Sequence, residues 1–249
     1  MTLSTKGLTV GYGGVDIIRA ANLTAPGAAL TALIGANGAG KSTLLRALAG
    51  LAPAKGQVLL DETDANRRDD IAYMPQDTSA SSGLTMLETV MLGRLLSLGW
   101  STPPDVIAAA AELLSQFGLS ALSERPLHAV SGGQRQLAFL AQSLIRAPKA
   151  LLLDEPTAAL DLRHQLVVLE TVKADAAKRG VPVLAAMHDL SLAGRFADHV
   201  ICLDKGSIVD AGTPAEVLTQ DRIASVYGVR ADVEIRAGRP RIELLTAIN

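Results

Sequence analysis

The sequence is short of cysteine, of long apolar runs and of any excess of charge, and each shortage closes off a class of function. Cys202 is the single cysteine in 249 residues, so an intrachain disulfide is impossible. Its place in Val200-Ile201-Cys202-Leu203 predicts a buried, reduced thiol, in keeping with a cytosolic setting. Hydrophobic residues make up 49% of the chain and mean hydropathy is +0.28, yet no run approaches the roughly 18 consecutive apolar residues that a spanning helix needs. The most apolar stretch, Val106-Ile107-Ala108-Ala109-Ala110-Ala111, runs into Glu112 and reads as an Ala-rich helix outside a membrane. Any membrane is therefore expected to be met through a partner. Lys and Arg total 23 against 25 Asp and Glu, a formal charge of -2, which leaves no basic excess to hold a nucleic-acid backbone. Met1 to Gly7 shows no basic stretch leading into an apolar core, so no signal peptide is expected and the chain is expected to stay where it is made. Internal repeats, low-complexity linkers and sustained heptads are missing as well, which favours lobes sharing one continuous chain over independent domains.

The periodicity that is present implies an α/β fold. Short β-type runs separated by glycines fill residues 1 to about 60, and Ala29-Leu30-Thr31-Ala32-Leu33-Ile34 is a strand that ends at a glycine-rich turn, with a helix pattern from Lys41. Between 85 and 147 the pattern becomes helical: Thr85-Met86-Leu87-Glu88 has capping-box spacing, and Asp105 to Phe117 repeats apolar residues at three- and four-residue intervals. Apolar strands then return at Ala150–Leu153, Val183–Met187 and Val200–Leu203, with an amphipathic helix from Arg163 to Arg179 between the first two, so a mainly parallel sheet is expected. Val229, Ala231, Val233 and Ile235 alternate with charged residues before Gly238-Arg239-Pro240 and a short apolar run, which predicts a hairpin-like tail. The expected organisation is one domain over 1–249. Residues 1–84, with an antiparallel β portion, and 148–228 form a core lobe, 85–147 an inserted helical subdomain and 229–249 a C-terminal β appendage.

Gly35-Ala36-Asn37-Gly38-Ala39-Gly40-Lys41-Ser42-Thr43 fits G-x-x-x-x-G-K-[ST] in the required context, after a strand and before a helix. Glycines let the backbone amides converge on phosphate oxygens, and the helix N-terminus adds a partial positive charge of about half a unit. Lys41 at that positive end costs roughly 0.3–1 kcal/mol without an anion and is attracted once a triphosphate binds; Ser42 would then ligate magnesium. Ala150-Leu151-Leu152-Leu153-Asp154-Glu155-Pro156 places two acids at the end of an apolar strand, where open α/β sheets bind ligands. Strand alternation predicts Asp154 in the magnesium sphere and Glu155 turned toward an attacking water as general base. Taken alone, the same pair before a proline also fits a strand ending in a turn. Ser131-Gly132-Gly133-Gln134 opens another helix pattern that runs to Arg146, and its spacing equally fits a capped helix with no ligand.

Val130-Ser131-Gly132-Gly133-Gln134, lying before Asp154-Glu155, resembles the signature sequence of ABC ATPases, with Val130 where the family usually has leucine. Further family positions match Tyr12, Gln76 in Tyr73-Met74-Pro75-Gln76, Ala159-Leu160-Asp161, and His188 in Met187-His188-Asp189-Leu190, so the resemblance covers essentially the whole chain. It implies an ATPase in which two copies pair head to tail, the signature of one closing over ATP held by the phosphate loop of the other. It also implies adenine stacking on Tyr12, Asp161 in the nucleotide-binding set, Gln76 on magnesium and the attacking water with a link to a transmembrane permease, and His188 on the γ-phosphate. By themselves His188 suits a structural position and Tyr12 a turn.

Softer motifs resemble the importer branch for ferric siderophores, haem and cobalamin: Asp161-Leu162-Arg163-His164-Gln165, the run from His188 to His199, Ala211 to Leu218, and Tyr227-Gly228-Val229. Family exporters commonly carry membrane helices on the same chain, so their lack here agrees with an importer subunit bound peripherally at the cytoplasmic face of the membrane. A separate capture protein would recognise the solute. Residues 84–99 mix Leu, Met and Val with few charges and read either as part of a groove for the permease or as ordinary core. The alternatives are an importer ATPase for another small solute and a soluble ABC-type ATPase, the latter expected to carry tandem halves or a long coiled coil. A GTPase would usually carry Asn-Lys-x-Asp, and Val172-Lys173-Ala174-Asp175 lacks the asparagine.

Overall fold

The computed structural model describes residues 1–77, 83–97 and 103–248. Along the chain come β1 (Leu3–Tyr12), β2 (Val15–Ala21), β3 (Thr24–Ala25), β4 (Ala29–Ile34), α1 (Lys41–Leu48), β5 (Lys55–Leu60), β6 (Thr63–Asp64), α2 (Arg67–Asp70) and β7 (Ile71–Met74). A helical stretch follows: α3 (Met86–Met91), a 3-10 turn over Leu92–Ser97, α4 (Pro104–Gln116) and α5 (Gly132–Ile145). Then β8 (Ala150–Asp154), α6 (Leu162–Arg179), β9 (Pro182–Ala186), α7 (Leu190–Phe196) and β10 (His199–Asp204) alternate. The chain ends with β11 (Ser207–Gly212), α8 (Pro214–Val217), α9 (Gln220–Tyr227), β12 (Val229–Arg236) and β13 (Arg239–Ala247).

The central sheet has the order β11-β10-β4-β9-β8-β7, with every neighbouring pair parallel except β10 and β11. β4, β8 and β9 are buried at every residue, which explains their unbroken apolar runs: a parallel sheet covered on both faces has no wet side to mark with polar residues. Alternation still sorts the side chains. Leu33, Leu152, Leu184 and Ile201 share a core with Leu44, Leu45 and Leu48 of α1 and with Leu3, Leu8 and Val10 of β1. Ala32, Leu151, Leu153, Val183 and Val200 face the other core, with Val168, Leu169 and Val172 of α6 and Leu137 and Leu140 of α5. Each fully buried Leu, Ile or Val stabilises the fold by about 1.5–3 kcal/mol relative to exposure, so a one-residue slip of a strand would exchange the two cores. A smaller antiparallel sheet, β2-β1-β5-β6 with β3 beside β1, closes over α1.

Thr85 and Glu88 form a reciprocal capping box at the start of α3, as do Ser131 and Gln134 at the start of α5; each cap contributes about 1 kcal/mol. Met86 and Val90 are buried in the core while Leu92 is exposed, and residues 98–99 of the apolar 84–99 stretch lie outside the described residues. The tail is a hairpin whose two turn residues, Ala237 and Gly238, both have positive φ, 49° and 73°, the conformation that matches strand twist in a two-residue loop. Its second strand is longer than the short apolar run suggests and includes Pro240. Asp198 accepts from Lys173 at 2.5 Å and, more weakly, from Arg239 of this hairpin at 3.4 Å. No helix among the described residues is long and apolar enough to cross a membrane.

Candidate active site

The strands β4, β9, β8 and β7 lie side by side and in parallel, so the segments leaving their C-terminal ends emerge together. Those segments are the glycine-rich loop 35–40, Met187-His188, Glu155 and Pro75-Gln76. They border a cleft of about 750 Å³ lined by Asn37, Gly38, Gly40, Lys41, Ser42, Thr43, Gln76, Glu155 and His188, with Ile17 of β2 at its edge. Gly40 is the residue before α1 and has φ 106°; a side chain there would be strained and would come within 2.8 Å of Ile18 Cδ1.

Lys41 is buried, and its ammonium donates to the carbonyls of Gly35 at 2.7 Å and Ala36 at 3.1 Å. Burial lowers its pKa, opposed by the carboxylates of Glu155 and Asp154. Asp154, at the end of β8, is only 2% exposed. Its Oδ1 accepts from Ser42 Oγ at 2.9 Å and its Oδ2 from Tyr73 Oη at 3.1 Å. Burial raises the Asp154 pKa; the two hydroxyls and Lys41 work against that, and Glu155 adds to it. Tyr73 is itself shifted upward by burial and by the neighbouring carboxylate.

Glu155 is aimed by something other than strand alternation. β8 ends at Asp154, and Glu155 takes a left-handed conformation with φ 53°, a geometry that costs a non-glycine residue about 1–2 kcal/mol and is concentrated at functional sites. The turn carries its carboxylate to Gln76, whose Nε2 donates to Oε2 at 2.8 Å, and to His188, whose Nε2 pairs closely with Oε1. Three segments distant in sequence thus meet on one carboxylate.

Other residues singled out in the sequence stand apart from this cleft. Tyr12 closes β1 opposite Val15 and is 48% exposed, outside the lining. Ser131, Gly132, Gly133 and Gln134 begin α5, also outside the lining, and the side chains of Ser131 and Gln134 are engaged in their own cap. Asp161 caps α6 by accepting from the His164 amide at 2.9 Å and also pairs with the His164 ring; that amide bond leads the lowering of its pKa.

Sequence reasoning missed two contacts. Tyr227, at the end of α9, accepts the Gly35 amide on its hydroxyl at 2.8 Å. Gln136, buried in α5, donates to the Glu155 carbonyl at 2.8 Å and accepts from the Ala159 amide at 3.3 Å. No local spacing announces either.

The model of the ABC transporter family matches residues 18–158, more than half of the chain and the span from β2 through the two acids. The chain belongs to the ABC transporter family. This ABC protein is an ATP-hydrolysing cassette. It is 36% identical over 244 residues to an iron(3+)-hydroxamate import ATP-binding protein of Bacillus subtilis, covering 93% of this chain and 90% of the relative. It is 39% identical over 254 residues to a hemin import ATP-binding protein of Myxococcus xanthus, covering 96% and 95%. A dimeric ATP-binding cassette solved after hydrolysis with ADP and phosphate superposes with a TM-score of 0.77 at 26% identity, covering 85% of this chain and 98% of that one. A chain of an inward-facing ABC transporter, described as of metal-chelate type, gives a TM-score of 0.82 at 25% identity, covering 98% and 97%.

Proposed function

We propose that this cassette drives import of a ferric siderophore, haem or cobalamin, acting as a head-to-tail pair at the cytoplasmic face of the membrane beneath permease subunits. A separate capture protein would deliver the solute. The supporting observation is the convergence of Lys41, Ser42, Gln76, Glu155 and His188 on one cleft, with buried Asp154 hydrogen-bonded to Ser42, while Ser131–Gln134 stand outside it. A second copy is the natural source of the missing signature. Similarity to ATP-binding proteins of iron(3+)-hydroxamate, achromobactin, hemin and cobalamin import supports the solute class.

In this reading the β- and γ-phosphates draw Lys41 away from the carbonyls of Gly35 and Ala36, while the amides of 38–43 at the α1 N-terminus cradle the phosphate oxygens. The Ser42 hydroxyl and Asp154 carboxylate, 2.9 Å apart, suit magnesium, which takes one or two protein oxygens beside phosphate oxygens and water. When bound, that ion would neutralise charge on the phosphates. Tyr12 would stack on the adenine, Asp161 would complete the nucleotide-binding set near the partner, and residues 1–84 with 148–228 would act as the core lobe that 85–147 and 229–249 flank. Glu155 would take a proton from the attacking water; its two oxygens are engaged by Gln76 and His188. His188 would transfer its hydrogen bond to the γ-phosphate and so release Oε1 for that water.

Glu155→Gln is expected to bind ATP normally and to lose at least about 100-fold in hydrolysis, since only the base is removed. Uptake of labelled iron supplied as a ferric siderophore, in cells carrying either the unaltered chain or Glu155→Gln, tests the transport reading. Loss of uptake with the variant supports it; equal uptake refutes iron-siderophore import and turns the assay to haem and then cobalamin.

A further inference from the structure

The signature helix α5 presents two different sides at its start. Ser131, exposed, and Gln134, half-buried, cap one another, whereas Gly133 and Gln136, three residues apart and so on one face, press on the turn that follows Glu155. A Cβ at Gly133 would stand 2.7 Å from the Ala159 carbonyl oxygen, so only glycine admits that approach. Gln136 is 3% exposed, and its amide spans the turn, donating to the Glu155 carbonyl and accepting from the Ala159 amide. A buried polar group that is satisfied at both ends is rigid. Here it holds the carbonyl of the residue whose left-handed backbone aims the carboxylate.

We propose that Gln136 is a positioning residue for hydrolysis, fixing the Glu155 turn to the signature helix so that a shift of α5 within a chain re-aims that same chain's base. The inference rests on the reading of Glu155 as general base. It gives the exposed end of α5 a mechanical consequence: whatever engages Ser131 and Gly132 from outside also loads the Gly133–Gln136 face. Gln136 touches neither the cleft nor its expected contents, so its effect is on the rate rather than on ATP binding.

The test replaces Gln136 by Met, which keeps the length of the side chain and removes both hydrogen bonds. Expected are an unchanged ATP dissociation constant, a kcat lower by about 10- to 100-fold, the scale of a misplaced reacting group, and no further loss when Gln136→Met is added to Glu155→Gln. A kcat within about twofold of the parent, with Glu155→Gln inactive, overturns the role of Gln136 and leaves the base assignment standing. An equal loss in both backgrounds also overturns it, because a residue acting through Glu155 has nothing left to act on there. Normal hydrolysis by Glu155→Gln refutes the base reading itself. Gln136→Glu covers the case in which the Met variant does not fold. Its neutral acid can donate to the Glu155 carbonyl as the amide does and its ionised form cannot, so its activity relative to the parent should rise as pH falls; a flat ratio overturns the proposal.

Discussion

Asp154 is a carboxylate held where burial disfavours its charge; the two groups hydrogen-bonded to it, Ser42 and Tyr73, are neutral hydroxyls, and Lys41 adds a smaller attraction that does not outweigh the burial. Its pKa is raised in the folded chain, so the folded state binds the proton more tightly than the unfolded chain does. The stability it contributes is therefore fully present below the unfolded carboxylate pKa and is lost as pH rises through the raised folded value. Asp154→Asn removes the charge and keeps the size, and either hydroxyl can rotate to accept from the new amide. Removing a net burden of about 1 kcal/mol should raise the Tm of the nucleotide-free protein by about 2–4 °C near neutral pH, with the gain shrinking as the solution is acidified. Melting curves across that range decide it: no gain, or a gain that grows toward acid, would falsify the account. The same variant should hydrolyse ATP poorly, since stability and catalysis make opposite demands on this residue.

At the scale of elements, α9 reaches the glycine-rich loop that borders the cleft through a hydrogen bond. Tyr227 closes α9 and is pushed upward in pKa by its burial; it accepts the amide of Gly35, whose carbonyl in turn receives Lys41. Tyr227→Phe leaves that amide without its partner, at a cost of about 1–3 kcal/mol, and a Tm lower by several degrees is expected together with weaker ATP binding, read by calorimetry. Unchanged affinity would confine the tie to stability. Nothing in the sequence pointed to this bond, because its partners are 192 positions apart and the motif Tyr227-Gly228-Val229 gives no direction. What the sequence did disclose has a local cause: β4, α6 and the caps at Thr85 and Ser131 follow from apolar period and capping chemistry within a few residues. The loop 35–43 and Glu155 were legible because each follows a strand whose parallel neighbours bring its end to the same edge; Gln76 and His188 entered only through the family resemblance, and Ile17 of β2 was not foreseen. The aim of Glu155 was not legible, since alternation stops where β8 stops and a left-handed residue other than glycine has no signature in composition.

For the whole molecule, the separation of the signature from the cleft makes a demand on assembly that mixing can check. Lys41→Ala disables the phosphate loop and leaves α5 untouched. Gly132→Asp sets a carboxylate at the exposed start of α5, where a Cβ meets nothing closer than Arg135 at 3.9 Å, so the chain should still fold; at Gly133 the same change would strike the Ala159 carbonyl. Neither variant alone should hydrolyse ATP well, the first for want of the lysine and the second because its carboxylate repels phosphate. In a head-to-tail pair made of one of each, the phosphate loop of the Gly132→Asp chain faces the signature of the Lys41→Ala chain, and one site of two is intact. Random pairing makes about half of the dimers mixed, so independent sites would restore about a quarter of the parental rate. Co-expression with two different tags, followed by sequential purification, isolates the mixed pair. If it is as inactive as its parents, the sites are not shared between copies in this way; if activity appears only in the mixed pair, the signature that serves each cleft comes from the other chain.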